Sequence, residues 1–225
     1  MAQRTTPMLK QPTHHPDPAL VLAFAAGALD PARALLVDTH LTFCDACREL
    51  ARETEAIGGA LLASEADAPL AADALARVLA QIDGAAGKEV PAAPLGRHAS
   101  ALMRLPDPVR DAAASALAQR RFRFAGPGLR TLALDDAGAV QLLRIEPGWG
   151  PPRHGHGGQE WTLVLTGAFR DERGRYGPGD VAHSDPALEH RPVAEPGEVC
   201  YALAVTDAPL RFKGAAGFLQ RLFGA

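Results

Sequence analysis

Cysteine is scarce in this 225-residue chain, which has three cysteines, eight histidines and few aromatic residues. An odd number of thiols excludes a framework in which every cysteine is paired within the chain. Two of the three, Cys44 and Cys47, are nevertheless separated by only two residues. That spacing indicates metal binding or redox chemistry more than a structural disulfide, and a buried thiol pair is the simpler alternative.

Basic residues are in slight deficit, with 23 Lys and Arg against 26 Asp and Glu and a net charge of −3. Neutralising nucleic-acid phosphates needs clustered Lys and Arg, so the composition argues against direct nucleic-acid binding. Long apolar runs are missing too, since the longest one in the N-terminal part, residues 19–29, is about half a membrane span. The first 18 residues have early positive charge, but Pro and His interrupt them and no signal-peptide cleavage site follows. We therefore expect a cytoplasmic protein without a membrane segment.

The two halves of the chain have different patterns. Ala and Leu recur with helical spacing up to about residue 85, and two helices are predicted to begin at the Asp-Pro pairs 17–18 and 30–31. A third predicted helix spans residues 44–62, beginning with the cysteine pair, and is weakened by the glycines at 58–59. A fourth is predicted from the apolar face formed between residues 70 and 82. The N-terminal half is therefore expected to be a small all-α bundle.

The C-terminal half changes from helical to strand-like spacing. Residues 84–100 are rich in Gly, Ala and Pro, which predicts a linker, and a short helix is expected over 107–119. Short apolar or alternating runs between Gly, Pro and Asp turns then predict an antiparallel β-sandwich or barrel. Helices followed by strands favour an α+β fold of two domains. Their predicted bounds are 1–85 for the helical domain, 86–104 for the linker and 105–225 for the β domain.

A first group of candidate metal ligands has the spacing H-x3-C-x2-C. On a helix, residues four apart share a face, so His40 and Cys44 can point at one ion and Cys47 can complete the chelate from the next turn. Thiolate and imidazole suit tetrahedral zinc, which requires a fourth ligand. His14 and His15, just ahead of the first predicted helix, are both candidates for that position.

The run HHPDPALVLAFAAGALDPARALLVDTHLTFCDACREL, residues 14–50, resembles the zinc-binding anti-sigma domain of the ChrR type. The resemblance implies that His15, His40, Cys44 and Cys47 bind zinc. It also implies a short helical domain that grips an ECF-type (group IV) sigma factor in a one-to-one complex and blocks its access to RNA polymerase. A net-negative inhibitor with an apolar helical face suits a partner whose own surfaces bind DNA and polymerase.

A second group of candidate ligands has the spacing H-x-H-x3-E. On a strand, His154 and His156 point to the same side, and Glu160 at the start of the next apolar run can reach the same ion. His190 and His183 compete for a further position. Three imidazoles and one carboxylate in a β domain resemble the metal motifs of cupins, as does the turn in YGPGDVAH.

The sequence EHRPVA around His190 matches the ChrR type, so the resemblance implies His154, His156, Glu160 and His190 as the ligands of a cupin metal site. Three His and one Glu suit zinc, iron, manganese or nickel, and the order of affinities does not choose among them. The resemblance implies that this β domain is needed to release the sigma factor under oxidative stress, with singlet oxygen or organic hydroperoxides as signals.

Two other functions are compatible with the same residues. The first is a cupin-type dioxygenase or isomerase with a helical zinc appendage, because four protein ligands leave a position open on a metal that accepts five or six. The second is an interaction protein whose β-domain metal is purely structural. We expect the regulator, not an enzyme, and predict no catalytic residues.

Overall fold

The computed structural model describes residues 11–85 and 99–212. Helices occupy the first part of these residues. They are α1 (Pro18–Ala25), α2 (Pro31–Leu41), α3 (Asp45–Ser64), α4 (Ala74–Ala85), α5 (Ala99–Leu102) and α6 (Asp107–Gln119).

The first two helices begin where the sequence predicts. Asp17 accepts the N–H of Ala19 at 2.8 Å and caps α1, while Asp30 accepts the N–H of Ala32 at 3.1 Å and caps α2. Proline follows each cap, at a position whose N–H would have no partner within the helix. The expected weak point at 58–59 does not interrupt α3, which runs unbroken to Ser64.

The fourth helix differs from its prediction in its position and its burial. It begins at Ala74, so Leu70 precedes it, and the large apolar side chains of α4 are exposed rather than packed in a core. Most of the predicted linker, residues 86–98, lies outside the described residues. Its last part contains α5, and α6 then matches the predicted helix over 107–119.

Twelve short strands are described in the second part of the chain. They are β1 (Arg123–Gly126), β2 (Leu129–Ala133), β3 (Val140–Ile145), β4 (His154–His156), β5 (Glu160–Thr166), β6 (Phe169–Asp171), β7 (Gly174–Tyr176), β8 (Val181–Ser184), β9 (Glu189–His190), β10 (Val193–Ala194), β11 (Cys200–Thr206) and β12 (Leu210–Phe212). They pair antiparallel in a six-stranded sheet, β1-β2-β3-β11-β5-β8, and two three-stranded sheets, β10-β6-β7 and β12-β4-β9. The predicted α+β architecture is confirmed.

The six-stranded sheet packs on both of its faces. Because side chains alternate along a strand, Leu163 and Leu203 lie on one face and Val164 and Cys200 on the other. The first face shares the largest core cluster with α6 and with Leu36 of α2, and the second packs against the small sheet that contains β6 and β7. Among the N-terminal helices, α2 is therefore packed on the sheet.

The N-terminal helices have a thin core of their own. Its buried side chains are Val21, Val37, Cys44, Cys47 and Ala51. Two of these five are thiols and one is an alanine, and the remaining apolar contacts between α1, α2 and α3 come from side chains that are only partly buried, so the fully buried apolar area is small. Among the described residues, no helix combines the length and apolar character that a bilayer crossing requires.

Candidate metal centres

The first cluster forms where α2 ends and α3 begins. His40 lies in the last turn of α2, Cys44 is the N-cap of α3, and Cys47 is in the first turn of α3. His15 joins them from the segment before α1. One donor atom from each of the four residues lies within 4.8 Å of the other three, and all but His15 are buried. The four side chains that the resemblance implies are thus brought together.

The local geometry differs from the single helix on which the spacing argument relied. The chain leaves α2 at Thr42 and turns, so His40 and Cys44 belong to different helices. Cys44 has extended backbone angles, and its Sγ accepts the N–H of Cys47 at 3.4 Å. A thiolate at a helix N-terminus is favoured by the helix dipole, which stabilises negative charge there.

The structure distinguishes the two neighbouring histidines. His15 Nδ1 lies 3.4 Å from Cys44 Sγ and 3.5 Å from Cys47 Sγ. His14 points elsewhere, with its ring tilted by 42° against that of Tyr176 at a centroid distance of 4.5 Å. The position of His15 among the thiols agrees with the choice that the resemblance implies.

The nitrogens of His40 have two different environments. Nδ1 lies 2.8 Å from the carbonyl oxygen of Gly179, which can only accept, so Nδ1 bears the proton. Nε2 is buried without a partner. Burial, with a smaller contribution from His15, lowers the pKa of His40 to about 4, so the ring is neutral at physiological pH. A neutral, buried and unpartnered nitrogen beside two thiols fits a metal ligand.

The two cysteine thiols also favour a bound cation. Burial, followed by the hydrogen bond and charge of Cys44, raises the pKa of Cys47 to about 12. Two adjacent thiolates are therefore unfavourable here without positive charge between them, and a divalent cation provides it. Two sulfurs and two imidazoles are the ligands of tetrahedral structural zinc sites. The cluster fits zinc.

The second cluster lies in the β domain, on strands of two different sheets. His154 and His156 are on β4, His190 is on the neighbouring β9, and Glu160 is the first residue of β5. The Nε2 atom of His190 is 3.2 Å from the Nε2 atoms of both other histidines. Two metal–nitrogen bonds of about 2.1 Å at angles of roughly 90–110° would place their nitrogens roughly 3.0–3.4 Å apart. The three imidazoles are spaced as ligands of one ion.

Hydrogen bonds fix which nitrogens of this cluster face its centre. His154 Nδ1 donates to the carbonyl oxygen of Pro152 at 2.9 Å, and His190 Nδ1 donates to a carboxylate oxygen of Asp171 at 2.8 Å. Both rings therefore present Nε2 as the lone-pair nitrogen. The buried Nδ1 of His156 has no hydrogen-bond partner and lies 3.8 Å from Glu160 Oε2.

Burial strongly shifts the pKa values of three side chains in the second cluster. Burial, with the charges of the neighbouring imidazoles, lowers the pKa values of His154 and His156 to about 4. Burial also raises the pKa of Glu160 to about 7. Neutral imidazoles are the coordinating form, and a carboxylate in such a site is ionised by a nearby cation. This donor set fits zinc and also iron, manganese or nickel.

His183 and Cys200 of the β domain lie outside the second cluster. His183 is exposed, stacks on Trp161 and lies 2.6 Å from the amide oxygen of Gln159. Cys200 is fully buried in the sheet, and burial raises its pKa to about 12, as expected of an inert core thiol. Sequence reasoning missed Asp171, because a lone acid in a strand gives no signal that it will meet His190.

A cavity of about 1400 Å³ opens beside the second cluster. His154, Glu160 and His190 are part of its wall, and small side chains such as Ala202 and Ala204 line it further inside the sheet. Small residues on the inner face leave the space that larger ones would fill. Within the described residues, three of the four candidate ligands therefore border this cavity.

Comparisons with known proteins match both halves of the chain. A zinc-finger family matches residues 19–48, and the ChrR cupin-like domain family matches residues 112–209. The anti-sigma-E factor ChrR of Cereibacter sphaeroides is 44% identical over 211 residues, which are 93% of this chain and 95% of that protein. This chain belongs to the ChrR family of anti-sigma factors. The resemblance drawn from the sequence is confirmed.

A solved structure of the ChrR family shares the architecture. A chain in the crystal structure of Rhodobacter sphaeroides SigE in complex with the anti-sigma ChrR has a TM-score of 0.68 and 42% identity to this chain, covering 86% of it and 98% of the solved chain. The relatives that span both halves are regulatory proteins. The expectation of a regulator is therefore confirmed, and the dioxygenase or isomerase alternative is not supported.

Proposed function

We propose that this chain binds and inhibits an ECF-type (group IV) sigma factor through its N-terminal helices. The support is the name of the relative, an anti-sigma-E factor, and the solved complex of ChrR with SigE. The proposed regulator works in the cytoplasm, where RNA polymerase acts, and needs no nucleic-acid contact of its own. Its helical domain is proposed to span residues 1–85, with a linker over 86–104 and the cupin domain over 105–225.

The observation that carries this proposal is an exposed apolar surface on the second half of α3 and on α4. Large apolar side chains are 50–84% exposed along it. They are Ile57, Leu61, Leu62, Leu70, Leu75, Val78, Leu79 and Ile82. Large apolar side chains left exposed in this number on α3, on α4 and at Leu70 just ahead of α4 indicate a site of protein–protein contact. We name it the α3–α4 surface.

The charge around the α3–α4 surface suits a DNA-binding partner. Residues 45–85 contain eight carboxylates and three arginines, a net charge of −5. A sigma factor uses basic surfaces to bind promoter DNA, so an acidic partner with an apolar centre can compete for them.

Zinc at the first cluster is proposed to hold this domain in its binding shape. His15, His40, Cys44 and Cys47 join the segment before α1 to the ends of α2 and α3. The core between these helices is thin, whereas structural zinc contributes about 10 kcal/mol or more of apparent binding free energy. Without the cation, the position of α3 relative to α1 and α2 would be poorly fixed.

Replacing two residues of the α3–α4 surface tests the inhibition. Leu75→Asp with Leu79→Asp should weaken binding to the sigma factor at least tenfold, since buried apolar anchors at an interface are worth roughly 1–2 kcal/mol or more each. The measurement is the affinity of the purified full chain for the co-encoded ECF sigma factor. Phe124→Asp is the matched control, because Phe124 is 71% exposed but lies on β1. Equal affinities of the double variant and the control would refute the proposal.

The cupin cluster is proposed to act in release under oxidative stress such as singlet oxygen. Cys44 and Cys47 are 1% and 8% exposed, and thiol oxidation follows exposure, so direct attack on the zinc thiolates is hindered. The second cluster instead borders a cavity that admits small molecules. A divalent metal there, zinc, iron, manganese or nickel, would be held by His154, His156, Glu160 and His190.

Removing two cupin ligands separates release from inhibition. His154→Ala with His156→Ala should leave sigma binding within about twofold of wild type, because the α3–α4 surface is untouched. The same variant should abolish the induction of sigma-dependent transcription by singlet oxygen, measured with a reporter. Normal induction in this variant would contradict a sensing role for the cluster.

A further inference from the structure

The turn between β7 and β8, residues 177–180, reaches the first cluster from the other half of the molecule. The Gly179 carbonyl oxygen accepts the Nδ1–H of His40 at 2.8 Å. Partners on the second ring nitrogen of a metal-binding histidine fix its tautomer and its orientation. A backbone group of the β domain therefore sets the orientation of His40.

The carboxylate of Asp180 holds the segment that precedes His15. It is 6% exposed, and its Oδ1 accepts the backbone N–H groups of Thr13 at 2.6 Å and of His14 at 2.8 Å. Its Oδ2 accepts the N–H of Gly177 at 2.8 Å. Burial favours the neutral acid, but these three N–H groups outweigh it and lower the pKa of Asp180.

Two more contacts fix the same segment against the β domain. The carbonyl oxygen of His14 accepts the N–H of Val181 at 3.0 Å, and the His14 ring packs in a tilted arrangement against Tyr176. His15 follows directly, so its position among the thiols depends on this docking.

The close approach at Gly179 requires glycine. Its φ is +87°, and a Cβ placed there would lie 2.6 Å from Pro12 Cγ and 2.7 Å from Phe43 Cβ. Pro12 belongs to the segment before His15, and Phe43 lies between His40 and Cys44. A side chain at this position would push the turn away from both parts of the cluster.

We propose that the 177–180 turn is a structural part of the N-terminal metal site, with Asp180 and Gly179 as positioning residues for His15 and His40. The proposal rests on the metal site proposed above. It makes the cation affinity of the helical domain depend on the β domain, although all four ligands come from the first 47 residues. A movement of β7 or β8 would then shift the zinc ligands, because the Gly179 carbonyl group contacts His40 and the Asp180 carboxylate holds the segment before His15.

Cobalt(II) titration of the full chain tests this dependence. Thiolate–cobalt charge-transfer absorption reports the first cluster alone, because the second cluster has no sulfur. Asp180→Ala should weaken cobalt binding at the thiolate site about 10- to 100-fold in competition with a chelator, as expected for the loss of an outer-shell partner. Asp180→Asn, which retains one acceptor, should show a smaller loss in the same direction.

The matched control is Asp135→Asn, which removes a carboxylate that accepts a backbone N–H, from Val140 at 3.1 Å, in another turn of the β domain. It should bind cobalt as wild type does. Near-UV circular dichroism shows which variants are folded. If Asp180→Ala does not fold, the cobalt affinity of Asp180→Asn tests the proposal. Wild-type affinity in a folded Asp180 variant would overturn the proposal. Absence of the thiolate band in the wild type would instead refute the N-terminal metal site itself.

Discussion

At the scale of single residues, one hydrogen bond on each imidazole decides which nitrogen is left for a metal. Gly179 does this for His40, and Asp171 does it for His190. The candidate ligands themselves were predictable, because their types and spacings are local in sequence. Their partners were not, since Gly179 lies 139 residues from His40. Such a contact exists only once the domains are packed together.

The lowered pKa values of the cupin histidines predict how the metal-free chain responds to acid. Unfolded imidazoles take up protons as the pH falls below about 6.5, whereas folded His154 and His156 resist until about 4. The unfolded state binds more protons in this window, so folding stability falls as the pH falls through it. The loss between about pH 7 and 5 should be on the order of 1–2 kcal/mol per imidazole.

The pKa shift of Glu160 changes folding stability with pH in the opposite direction to the shifts of the histidines, so the two effects must be separated. Its pKa of about 7 in the folded chain lies above the ordinary value of 4.5 for a glutamate, so its burial costs stability as the pH rises from 4.5 to 7. The contribution of the two imidazoles is isolated by comparing the free energy of unfolding of the wild type with that of the double variant His154→Gln plus His156→Gln, both in the presence of a chelator. The free energy of unfolding of the wild type should fall more between pH 7 and 5 than that of the variant, and parallel pH profiles would contradict this assignment.

At the scale of elements, the chain shows which local signals are reliable. Asp-Pro pairs predicted the starts of α1 and α2 because capping and the missing proline N–H act within one turn. The start of α3 beside Cys44 matches the third predicted helix, whereas the shared helical face of His40 and Cys44 was wrong, because ligand spacing that suits one helix also suits two helices meeting at an N-cap. The apolar face of α4 was predicted, but periodicity cannot tell whether such a face covers a core or awaits a partner.

At the scale of the whole molecule, the order of elements predicted the α+β fold, whereas the contact between its halves was not visible in the sequence. Leu36 of α2 joins the core of the six-stranded sheet, and Asp180 of the sheet domain holds the segment before His15. The sheet that carries the cupin cluster is thus packed against α2 and against the segment that contributes His15 to the first cluster. A two-domain regulator needs such a joint if a signal received in one half is to change binding by the other.

The central claim is that a cation held by His15, His40, Cys44 and Cys47 keeps the N-terminal helices in the shape that binds a sigma factor. The direct measurement is the affinity of the full chain for its ECF sigma factor, first zinc-loaded, then stripped by a strong chelator, then reloaded. The variant His154→Ala with His156→Ala is measured in parallel, so that a metal at the cupin cluster cannot account for the change. Binding should be lost on stripping and recovered on reloading in both proteins. Unchanged binding after complete removal of the metal would contradict the claim.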